Sequence, residues 1–158
     1  MNNLQLPAMR ALLQRVSSAS VEVDGKMISS IDRGLLVLLG IENADDETDI
    51  GWLIGKITNM RIFEDEGGKM NESLLDTGGK ILVVSQFTLH ASTRKGNRPS
   101  FLEAAPPRIS EPLYEKFCSK LSLTVGEEVP RGIFGADMKV SLVNDGPVTI
   151  WIDSRDPS

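Results

Sequence analysis

Apolar residues in this chain fall into short blocks whose spacing changes from strand-like to helix-like. Ala11 to Val16 is apolar apart from Gln14 and Arg15 and reads as a strand. Ala19 to Val23 and Met27 to Ile31 flank Asp24-Gly25, a strong hairpin signal. Gly34 to Ile41 is a near-continuous apolar run, short and bounded by glycines, which predicts a buried central strand. Lys80 to Phe87 is a second, β-branched run and delivers Ser85 to Leu89 to its C-terminal edge. Near the end, Met138 to Val143 and Val148 to Ile152 read as the last two strands, with Asn144-Asp145-Gly146-Pro147 turning between them.

Helical spacing occurs twice. Ile50, Leu53, Ile54, Ile57 and Met60 form one stripe, and the acidic run Asp45 to Asp49 before them suits a first turn, where the helix dipole favours carboxylates. Leu113, Tyr114, Phe117, Cys118 and Leu121 form the other, with Ser110 as the expected N-cap and Pro112 in the first turn. Between the helices, Arg61 to Phe63 is a candidate short strand, and Asp65 to Lys69 and Leu74 to Gly79 read as turns. The expected fold is a single α/β (α+β) domain, its mostly antiparallel sheet curled toward a barrel with two main helices packed on it. Residues 1–8 read as a flexible leader, 9–153 as the domain and 154–158 as a tail.

Composition keeps this picture and narrows it. At 158 residues the chain suits one domain, and 41% hydrophobic with 25% charged residues is ordinary for a globular protein. No apolar run approaches the ~20 residues that span a bilayer. The first residues lack a cationic segment followed by an apolar one, so no secretory signal is read there. With Cys118 as the single cysteine there is no internal disulfide and no cysteine-based zinc site. A cytoplasmic location is expected, with no membrane partner. The net charge of −5 argues against broad nucleic-acid binding, and no DNA partner is expected. It leaves room for a local basic site, and Arg94, Lys95 and Arg98 in the polar stretch Ala91 to Phe101 supply one.

The side-chain toolkit for catalysis is poor. There is one histidine, His90, and no Gly-x-Ser-x-Gly elbow to present a serine to it. Clusters with metal-ligand spacing are lacking, as are Gly-rich phosphate loops, so neither metal nor cofactor is expected. Catalysis would then rest on positioned backbone N–H groups, each worth about 2.7–4 kcal/mol to a developing oxyanion. The Gly146-Pro147 pair could present a stiff backbone edge, because proline fixes φ and glycine tolerates angles that other residues avoid. A cis bond is permitted there, since the trans preference before proline is only about 0.5–1 kcal/mol.

Ser85-Gln86-Phe87-Thr88-Leu89 together with Asn144-Asp145-Gly146-Pro147-Val148-Thr149 resembles the paired signature of the D-aminoacyl-tRNA deacylases. The similarity runs from about Met9 to Ile152. It includes Gln14-Arg15-Val16, Arg98-Pro99-Ser100-Phe101 and Ala136-Asp137-Met138. Retention of Ser-Gln-Phe-Thr places the resemblance with the main D-specific branch rather than a related one with a trans Gly-Pro.

The resemblance implies a homodimer with its sites at the subunit interface, hydrolysing the ester of D-aminoacyl-tRNA and of glycyl-tRNA mischarged on tRNA-Ala. Gly146-Pro147, cis, would reach into the partner's pocket and exclude L side chains. Arg15 would brace that turn across the interface, with Asn144 as further support. Ser85, Gln86, Phe87 and Thr88 would form the catalytic wall, the N–H groups of Phe87 and Thr88 facing the ester carbonyl and the tRNA 2′-hydroxyl helping to activate water. Phe101 and Ala104 would receive the terminal adenosine, with Arg94, Lys95 and Arg98 toward the tRNA. The alternatives are an esterase using Thr88 or Ser85 as nucleophile on small esters, and a non-catalytic tRNA-binding module.

Overall fold

The computed structural model describes residues 9–155, so the expected leader and the last three residues of the expected tail lie outside the described residues. The chain is organised on one long strand, β1 (Arg10–Val23). On one edge β1 pairs with β7 (Lys139–Asp153) from Arg10 to Glu22. On its other edge the first half pairs with β3 (Gly34–Gly40) and the second with β2 (Lys26–Ile31). β3 then pairs in parallel with β6 (Lys80–Ser85), whose Val83 also makes a parallel bridge to Arg131; the other strand pairs are antiparallel. The parallel pair needs a crossover, and α1 (Glu47–Asn59) lies in it. The small hairpin β4 (Phe63–Glu64) with β5 (Met70–Glu72) and the short helix α2 (Leu74–Thr77) complete that crossover. A second long helix, α3 (Pro107–Val125), packs beside α1. The mixed α/β class, the curled sheet and the two main helices are as expected.

The sheet buries both faces. Leu35, Val37, Leu39, Ile81 and Val83 face the large core under α1 and α3, with Ile50, Leu53, Tyr114 and Phe117 opposite. Leu36, Leu82 and Val84 face a smaller core on the other side, with Val16, Ala19, Val21 and Ile31. This is why β3 and β6 read as continuous apolar runs rather than alternating ones. β1 serves both cores through a bulge. Val16 is opposite Asn144 and Ser18 opposite Val143, so Ser17 is an extra residue on β1. The shift of phase keeps Val16, Ala19 and Val21 on one face.

Four local expectations are corrected. The two expected strands are one, Lys139–Asp153: both flanks of Gly146-Pro147 run antiparallel to the same β1, so the chain never reverses. α3 begins at Pro107 after Pro106, because proline suits the first helical position; Ser110 is inside, its hydroxyl donating to the Pro106 carbonyl at 3.1 Å. Pro112 therefore sits in the second turn, where it forgoes a helical hydrogen bond. Leu74 to Thr77 is a short helix, capped reciprocally by Ser73 and Asp76. At the C-terminus, Ser154, assigned to the tail, is built into the fold: its N–H donates to Met9 and its hydroxyl to Asp49 at 2.8 Å. The single cysteine behaves as expected. Cys118 is buried and burial pushes its thiol pKa up, away from the reactive range.

Candidate active site

β6 ends at Ser85, two residues earlier than expected, because the Gln86 N–H makes the last bond to the sheet, to the Leu39 carbonyl at 2.7 Å. The chain then tightens into a 3-10 turn, Phe87–His90. The Gln86 side chain does not cap that turn; its Oε1 accepts instead from the Thr88 hydroxyl at 2.5 Å. The first N–H groups of such a turn have no intrahelical acceptor. Phe87 is 58% exposed, and its ring meets Phe101 edge-on at 5.0 Å. His90 is buried, its Nε2 3.9 Å from the Glu42 carboxylate.

Ser85, Gln86 and Phe87 wall a pocket of about 570 Å³, and Thr88 lies outside its lining. Ser85, Gln86 and Phe87 form one side, Phe101 and Ala104 another, and the segment Phe134 to Met138 a third. The loop holding Phe101 and Ala104 is fixed by the Ala105 N–H donating to Ile41 at 2.9 Å. Arg94, Lys95 and Arg98 lie apart from this lining, on an exposed hairpin-like loop closed by Ser92 and Ser100, whose N–H groups each donate to the other's carbonyl at 2.8 Å. Among the described residues there is no cluster with metal-ligand character.

The second motif lies elsewhere. Gln14 is opposite Thr149 and Val16 opposite Asn144, so Asp145 to Val148 bulge out of β7 beside Arg15. The Gly146-Pro147 peptide is cis. Arg15 is buried; its Nε donates to the Asp145 carbonyl at 3.1 Å and its Nη1 to the Ile62 carbonyl at 2.8 Å. That brace is made within one chain, where a brace across subunits was expected. Asn144 closes the loop: its Oδ1 accepts from the Val148 N–H at 3.1 Å and its Nδ2 donates to the Thr149 hydroxyl at 3.0 Å. Glycine is required at 146. Its φ is +133°, and a Cβ would stand 2.8 Å from Val148 Cγ2 and 3.0 Å from Val148 N.

Within one chain the two motifs stay apart. Ser85 is level with Leu39 and hence with Ala11, whereas the bulge is level with Arg15. Four residues along a strand and three strand spacings across separate them by roughly 13 and 14 Å along the sheet. The bulge contributes nothing to the pocket lining.

Several residues around the site escaped the sequence reading. Arg10 donates from Nη1 to the Leu89 carbonyl at 2.9 Å and from Nε to Asp153 at 3.0 Å. A lone charge at the start of an apolar strand, matched by an opposite charge near the chain end, was the available signal. Glu42 sits between His90 and Arg155; burial raises its pKa, with Arg155 opposing. The wall from Phe134 to Met138 had no signal beyond its place in the resemblance.

Comparison with known proteins adds a common pattern. A family model described as D-Tyr-tRNA(Tyr) deacylase matches residues 12–153. A protein of Bacteroides thetaiotaomicron named D-aminoacyl-tRNA deacylase is 60% identical, over 93% of this chain and 98% of that one. One of the same name from Chromobacterium violaceum is 60% identical, over 94% and 99%. A solved structure titled c-Myc DNA Unwinding Element Binding Protein superposes with a TM-score of 0.86 at 46% identity, covering 90% of this chain and 97% of that one.

Proposed function

The chain belongs to the D-aminoacyl-tRNA deacylase family and is a hydrolase, and from that premise we propose that it cleaves the ester between a D-amino acid and the 3′ end of tRNA, rejecting L-amino acids by shape. The observation that carries this proposal is the split between the two motifs. The pocket at Ser85 to Phe87 is open on one side, and the stiff bulge at Gly146-Pro147 takes no part in its lining. A homodimer in which each chain lends its bulge to the other completes both. The amino acid would lie between the partner's bulge and the Ser85–Thr88 wall, the terminal adenosine in the cavity beside Phe101 and Ala104, and Arg94, Lys95 and Arg98 toward the tRNA.

Mirror-image substrates offer the same groups, so attraction separates them poorly. A fixed obstacle that only one enantiomer meets separates them well. In this scheme the N–H groups of Phe87 and Thr88 stabilise the oxyanion, and the substrate's own 2′-hydroxyl helps to activate water. Thr88 serves as scaffold: its hydroxyl is committed to the Gln86 side chain.

Deacylation assays with D-Tyr-tRNA, L-Tyr-tRNA and glycyl-tRNA test this. The D ester and the glycyl ester, which has no side chain to collide, are expected to be cleaved, and the L ester to persist. Equal cleavage of both enantiomers, or a glycyl ester that resists, overturns the steric filter. Cleavage of none leaves a tRNA-binding module. Thr88→Ala is expected to cost less than roughly tenfold; a loss of several orders of magnitude would make it the nucleophile.

A further inference from the structure

Arg10 opens β1 and lies opposite Gly40 on one side and Asp153 on the other. Its guanidinium is held from three directions. Nε donates to Asp153 Oδ2 at 3.0 Å, Nη1 donates to the Leu89 carbonyl at 2.9 Å, and the group sits over the Trp151 ring, 5.5 Å from its centre. Asp153 is itself buried, and its other oxygen accepts from the Arg155 N–H at 2.8 Å. A planar fork oriented this way by an acid and a ring presents its remaining donor in a fixed direction.

That direction is the segment after Gln86. The Leu89 carbonyl ends the 3-10 turn, where no intrahelical N–H reaches it. Between the sheet bond of Gln86 and the buried His90, Phe87 and Thr88 are exposed, and the Thr88 hydroxyl is tied to Gln86. The course of the exposed segment is therefore set by its ends, and Arg10 holds one of them. Resting on the deacylase reading above, we propose that Arg10, oriented by Asp153, is a positioning residue: through the Leu89 carbonyl it fixes the angle at which Gln86 to Thr88 leave β6 and meet the substrate. The same strand pair carries both assignments, since β1 holds Arg10 and Arg15 while β7 holds Asp153 and the bulge.

The test uses Arg10→Met, Arg10→Lys and Asp153→Asn in the full chain. Steady-state deacylation of D-Tyr-tRNA is measured well below the melting temperature of each variant, together with the amide NMR shifts of Phe87 and Thr88 in the free protein. Arg10→Met is expected to lower kcat about 10- to 100-fold with KM within about twofold, as a misplacement of the reacting geometry does. Arg10→Lys keeps a donor for Leu89 but not the fork, and regains part of kcat. Asp153→Asn removes the orienting charge and falls between wild type and Arg10→Met. The two amide shifts should move in the same order. A lowered melting temperature with kcat unchanged overturns the proposal, as do amide shifts that stay in place in Arg10→Met. Shifts that move in a protein whose wild type leaves D-Tyr-tRNA intact sink the deacylase reading while upholding the hold of Arg10 on the turn.

Discussion

The bulge at Asp145 to Val148 and the turn at Phe87 to His90 both leave the sheet, but they are stiffened in different ways. The bulge is closed over five residues by Asn144, which binds the Val148 N–H and the Thr149 hydroxyl, and one buried arginine locks it from β1. Strand pairing resumes on both sides of it. The turn is closed by its own backbone, the Leu89 N–H donating to Gln86 at 3.3 Å and the Ala91 N–H to Thr88 at 3.1 Å, with the Thr88 hydroxyl on the Gln86 side chain. Its outer anchors come from Leu39 and Arg10, both distant in sequence, and the Glu42 carboxylate lies 3.9 Å from His90. In the proposed scheme, an obstacle that keeps its shape in a partner's pocket would gain from local closure. In the same scheme, a wall that faces the reacting ester would gain from ties to the body around it.

The largest effect that would break this contrast is expected from Gly146→Ala. A methyl group 2.8 Å from Val148 Cγ2, at φ +133°, must deform the bulge. We expect deacylation to fall about 100-fold or more, or the preference for D over L esters to collapse, in paired assays of the two esters. Arg15→Met comes next. It leaves the buried Ile62 carbonyl without its donor and frees Asp145, and should cost about 2–3 kcal/mol in urea unfolding along with some D-over-L selectivity. Phe101→Ala sharpens the other half. Removing the ring that meets Phe87 should raise KM several-fold, about 3- to 10-fold, with little change in kcat.

Glu42→Gln has the smallest expected effect and reports on the turn's distant anchoring. Burial raises the Glu42 pKa above its ordinary 4.5, so the folded chain favours the protonated form. Its contribution to stability is complete below 4.5 and is lost as pH rises through the raised value. A glutamine stays neutral throughout, so the variant should gain on the wild type between that pH and neutrality. Urea midpoints at both ends of the range measure the difference; a constant gap would mean that burial does not govern this carboxylate.

The same contrast explains what could be read from the sequence. α1, β3 and β6 were legible because periodicity and burial agree locally: Ile50, Leu53, Ile54 and Ile57 are all buried on one face. Both motif segments were legible because each is contiguous. What pairs with what was not. Asn-Asp-Gly-Pro reads alike as a hairpin turn or as a bulge, and only the shared partner β1 decides. Arg10 and Asp153 are 143 residues apart, and Glu42 meets His90 across a crossover. No local pattern signals such pairs. The start of α3 was in view, in Pro106-Pro107, but Ser110 offered a more familiar cap.

Ser17 gives β1 something that its neighbours do not: a half-period delay. The strand arrives aligned with the helical layer and departs aligned with the opposite hydrophobic cluster, and the extra residue makes the change of step. Its side chain is exposed and carries little of the packing. What that position contributes is count rather than chemistry. Most exchanges there should pass unnoticed, and a deletion of Ser17 alone would remove the residue without a partner on β7 and still leave Val16, Ala19 and Val21 on one face.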